Sequence, residues 1–125
     1  MTATPEAVRG VVQGAYEALF PMDVWEEEYE ECKDGCSMAD LFIDVVAHKV
    51  TPRIVEGLIA LGVPCSLAAP ETLFGPGEFM VAGYVGPRSD RVPVMTMYSP
   101  ETPLRSPADM IEDWVTLSVK YLADK

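Results

Sequence analysis

The sequence predicts a single α+β domain of about five helices, with a β-hairpin between the fourth helix and the C-terminal one. Three observations point there. Apolar residues recur at helical spacing through 5–19, 51–61 and 107–122. Each of these runs opens on an oxygen-bearing cap followed by proline: Thr4-Pro5, Thr51-Pro52 and Ser106-Pro107. Two short β-rich runs, 78–85 and 91–98, flank Gly86-Pro87-Arg88-Ser89-Asp90, a five-residue loop of common hairpin length. A chain of 125 residues suits one domain, and no repeat or low-complexity linker divides it.

In the first helix Val8, Val11, Val12, Ala15 and Leu19 make one apolar face, and Pro21 ends the run. Residues 23–33 read as a short, very acidic helix. Asp23 caps it, Trp25, Tyr29 and Cys32 recur at i, i+4 and i+7, and Asp34-Gly35 stops it. Ser37-Met38-Ala39-Asp40 is a capping box opening a third helix to about Lys49, with Leu41, Phe42, Val45 and Val46 inward. Thr51-Pro52 then starts a fourth helix whose apolar residues are Ile54, Val55, Leu58, Ile59 and Leu61; Gly62 and Pro64 end it.

Residues 66–68 and 72–74 could each add a short strand, extending the hairpin to a three- or four-stranded antiparallel sheet. The hairpin register pairs Val81 with Met95 and Phe79 with Met97. Both hairpin faces are apolar, so either the rest of the domain covers them or one face meets another chain. Pro93 cannot donate to a ladder, which places its strand at an edge or a bulge. Met110, Ile111, Trp114, Leu117, Ser118, Tyr121 and Leu122 form the buried side of the closing helix.

Net charge is −11, from twenty acids against nine Lys and Arg. Such a surface repels nucleic acid and anionic membranes and suits a basic protein partner. No run of ~20 apolar residues spans a bilayer. The opening residues lack a signal peptide's basic and apolar regions. Three cysteines make a poor disulfide framework. These features together predict a cytoplasmic protein.

Catalytic constellations fail on spacing. Cys36, just before a helix N-terminus, suits a thiolate nucleophile. The single histidine, His48, lies twelve residues further along the same predicted helix, about 18 Å away at ~1.5 Å per residue. The same separation removes His48 from a zinc site with Cys32 and Cys36, which would then need Cys65 and a non-histidine ligand to complete it. Gly75-Pro76-Gly77 lacks the lysine and spacing of a phosphate-binding loop. The sequence therefore predicts no catalytic residue, no metal and no cofactor.

Charge is concentrated instead. Residues 23–44 hold nine acids against Lys33 alone, so eight of the eleven net negative charges lie in under a fifth of the chain. The bland account is a solvated face; the alternative is a docking surface. The docking account predicts a non-enzymatic inhibitor, of the immunity or anti-defence kind, that sets Glu26, Glu27, Glu28, Glu30, Glu31 and Asp34 on a basic surface of its partner, such as a nucleic-acid-binding groove. A second expectation is a structural subunit of a phage particle or other large assembly. It would form a homo-oligomer through Phe79, Val81, Met95 and Met97. A third is a small enzyme working through Cys36 or His48 in an unfamiliar arrangement.

Overall fold

The structure, a computed structural model, describes residues 4–32, 45–67, 81–96 and 105–122. Within them the fold is α+β: four α-helices and one three-stranded antiparallel sheet. Helix α1 spans Pro5–Glu17. Its cap works as the sequence implies, with the Thr4 hydroxyl oxygen accepting from the Ala7 N–H at 3.1 Å. Val8, Val12, Ala15 and Tyr16 are buried, and Val11 and Leu19 pack at the margin. The helix stops at Glu17, short of Pro21, and residues 18–20 turn into α2, Met22–Cys32.

The predicted third and fourth helices are not separate over the described residues. A π-helical turn, Val46–Val50, runs straight into α3, Thr51–Ala60. Thr51 is helical (φ −59°, ψ −41°) and its side chain caps no N–H. The correction has a local cause. Pro52 lacks a donor and its ring would press on the carbonyl four residues back. Widening the turn before it is the usual relief. Thr51 then sends both its backbone N–H and its hydroxyl to the Val46 carbonyl, the latter at 2.9 Å. The Ser37 capping box, with Leu41 and Phe42, lies outside the described residues.

At its other end α3 closes as predicted. Gly62 adopts φ +91°, the Gly62 N–H reaches the Ile59 carbonyl, and Val63 N–H reaches Leu58 at 2.9 Å. This is a Schellman cap, for which glycine is the favoured residue. Ile54 and Leu58 are buried, whereas Ile59 is 56% exposed.

The sheet order is β1 (Cys65–Leu67), β2 (Val81–Val85), β3 (Val92–Met95). Val81 pairs with Met95 as the sequence predicts, but a bulge follows. Gly83 then pairs with Val94, Tyr84 with Pro93 and Val85 with Val92. The loop accordingly holds six residues, 86–91, rather than five. One extra residue on β2 moves every later pair by one. Pro93 sits on an edge strand, where a missing donor costs least. Phe79 and Met97 lie outside the described residues, as do 72–74.

Helix α4, Pro107–Leu122, closes the domain. The Asp109 N–H donates to the Ser106 hydroxyl at 3.0 Å, so the predicted cap forms. Trp114, Met110 and Ser118 are wholly buried, and α4 packs on α1, β2 and β3 while α3 packs on α1 and β1. Gly83 lets the Trp114 ring approach the sheet: a Cβ there would stand 2.9 Å from the ring and 3.1 Å from the Ser66 carbonyl oxygen. All five β2 residues are buried. No helix among the described residues is long and apolar enough to cross a membrane.

Candidate acidic docking surface

Helix α2 is tied down on one side. Trp25 is 3% exposed. Its ring meets Tyr16 edge-on at 5.2 Å and Phe20 at 5.6 Å. Its indole N–H donates to the Tyr16 carbonyl at 2.8 Å. That carbonyl lies in the last turn of α1 and also accepts from the Leu19 and Phe20 N–H groups, at 3.1 and 3.3 Å. The tryptophan therefore ties α2 to the end of α1. Tyr29, one turn on, packs against the core margin.

The remaining positions carry the acids. Glu27, Glu28, Glu30 and Glu31 are exposed and Glu26 is half-buried. Glu26 with Glu30, and Glu27 with Glu31, stand four residues apart. Each like-charge pair costs a few tenths of a kcal/mol in an isolated helix. Glu30 and Glu31 also sit in the last turn, against the negative end of the helix dipole. Asp34 lies outside the described residues. So five of the six residues expected to bind a partner fall on one element, and the pattern of aromatic anchors is what made them legible.

Two arginines that could have neutralised acids elsewhere are committed to α4. Arg9 meets Glu112 through two bonds, at 2.5 and 3.2 Å, joining α1 to α4. The pairing holds the Glu112 carboxyl below its ordinary range and raises the Arg9 guanidinium. Arg105 pairs with Asp113. Sequence reading missed both: Arg9 and Glu112 stand 103 residues apart, and Arg105 and Asp113, eight apart, follow no regular helical spacing because Arg105 precedes α4.

Of the four residues expected at an apolar hairpin interface, Phe79 and Met97 lie outside the described residues. Val81 is buried within the chain and Met95 is partly buried. Cys65 is a packed thiol: it donates to the Val55 carbonyl at 3.5 Å, and burial pushes its pKa up to about 11. His48 is exposed on the π-helical turn, and Cys36 lies outside the described residues. Compared with protein families, curated proteins and solved structures, the chain matches none.

Proposed function

We propose that this chain is a non-enzymatic binding protein that docks the glutamate side of α2 on a basic surface of another protein. The observation carrying the reading is the division of α2. Trp25 and Tyr29 hold one side to the core, and Glu27, Glu28, Glu30 and Glu31 stand in solvent on the rest. A partner rich in Lys and Arg would complement the exposed carboxylates, steer association from a distance, and fix the register of docking. An inhibitor that occupies a nucleic-acid-binding groove is the concrete form, because carboxylates spaced along a helix can replace phosphates there.

The test replaces Glu26, Glu27, Glu28, Glu30 and Glu31 by glutamine together. The variant should keep its circular dichroism spectrum and lose the partners that the unaltered protein captures at low salt. Those captured proteins should dissociate as salt is raised, since screening at ~1 M shortens the range of charge interactions to about 3 Å. Equal capture by the glutamine variant at low salt would end the proposal.

A further inference from the structure

A second surface carries the opposite sign. Between the end of α3, β1 and the β2–β3 turn lies a cleft of about 500 Å³, lined in part by Ile59, Pro64, Leu67, Tyr84, Arg88 and Arg91. Ile59 and Leu67 are 56% and 47% exposed, so two of the large apolar side chains that face solvent do so in one place. Arg91 lies over the Tyr84 ring, its guanidinium carbon 3.9 Å from the centroid. That contact holds one face of the guanidinium and leaves its donor edges for something else.

The arginines also differ from Arg9 and Arg105. Arg9 and Arg105 each pair with a carboxylate of α4. Neither Arg88 nor Arg91 pairs with a carboxylate among the described residues, although Asp90 stands between them in a chain of twenty acids. The turn is held by backbone instead: Asp90 N–H donates to Pro87, and Gly86 N–H to Pro64 at 2.8 Å. Gly86 keeps φ +118° where a Cβ would stand 2.7 Å from the Asp90 carbonyl oxygen. Two guanidiniums are thereby presented beside an apolar wall by a turn that needs neither of them to form.

We propose that this cleft binds a small organic anion, a carboxylate or phosphate carried on a ring-sized apolar body. The donor edges of Arg88 and Arg91 suit the two oxygens of such a group. The body covers Ile59, Pro64 and Leu67, removing apolar surface from water. The volume falls within the roughly 300–1,000 Å³ typical of small-molecule sites. A molecule of net charge −11 repels anions at long range, so the attraction must come from these close contacts rather than from the overall field. This inference does not depend on α2.

The test is an amide NMR titration of the intact protein with phenyl phosphate and, separately, benzoate. Inorganic phosphate and benzyl alcohol serve as the charge-only and ring-only controls. Saturable shifts are expected at Ser66, Leu67, Gly86, Arg88 and Arg91 with at least one aryl anion, about tenfold tighter than either control. The preferred anion identifies carboxylate or phosphate as the group held. Replacing both Arg88 and Arg91 by glutamine should weaken binding at least about tenfold, as expected for losing charge-assisted bonds. Arg88→Gln alone leaves the Arg91–Tyr84 contact and the fold untouched, and should still weaken binding several-fold. No saturable shift with either aryl anion, equal binding of benzyl alcohol, or unchanged affinity in Arg88→Gln overturns the proposal.

Discussion

A thiol that loses water without gaining a charged neighbour holds its proton, and Cys65 is in that position. Its pKa rises from 9.0 to about 11, with burial as the cause. The folded state therefore binds this proton more tightly than the unfolded state. The resulting stability is fully present below pH 9 and is lost as the pH rises through about 11. Because the thiolate is the reactive form, Cys65 should alkylate slowly. Peptide mapping after iodoacetamide treatment near neutral pH should find it modified at least about tenfold more slowly in the native protein than in urea. Equal rates would show that the thiol is neither covered nor held neutral. For Tyr16 too burial raises the pKa, with the Arg105 charge opposing it, and among the described residues its hydroxyl donates to the Met110 sulfur at 3.9 Å.

At the scale of elements, α2 is held through Trp25. It touches α1 and α4, and Trp25 supplies both its aromatic packing and its hydrogen bond to α1. Trp25→Phe keeps a ring but loses the indole donor and part of the buried area. It should destabilise the protein by about 1–3 kcal/mol in urea unfolding. A change below a few tenths would mean that α2 is secured elsewhere. The anchors and glutamates of α2 were legible because a helix repeats every 3.6 residues, so i, i+4 spacing separates its sides. Thr4-Pro5 and Gly62 were legible for a similar reason: caps are settled within four or five residues. Tyr16 lies one turn beyond Val12 on the same stripe, yet its hydroxyl disguised a wholly buried residue. The π-helical turn and the β2 bulge had no such local signal. The first reconciles Pro52 with an unbroken helix, and the second adjusts β2 to its neighbour in the sheet. The Arg88–Arg91 cleft was illegible because its walls come from α3, β1 and a turn that only tertiary packing brings together.

For the whole molecule, self-repulsion is the chief electrostatic cost of folding. A net charge of −11 on 125 residues raises the energy of the compact state, and added salt screens that cost. Thermal unfolding should therefore shift upward by a few degrees between about 0.02 and 0.5 M sodium chloride. The variant with five glutamines in α2 should shift less. A midpoint that falls with salt in the unaltered protein would indicate that its ion pairs, Arg9–Glu112 and Arg105–Asp113, outweigh the repulsion. The packing of α1 on α4 bears on synthesis as well. On the ribosome, α1 emerges well before α4. At ~5–20 residues per second, the apolar stripe of α1 waits roughly 5–20 s for the helix that finishes its cover. During that interval the nascent chain is a substrate for any chaperone or protease that reads exposed valine and tyrosine.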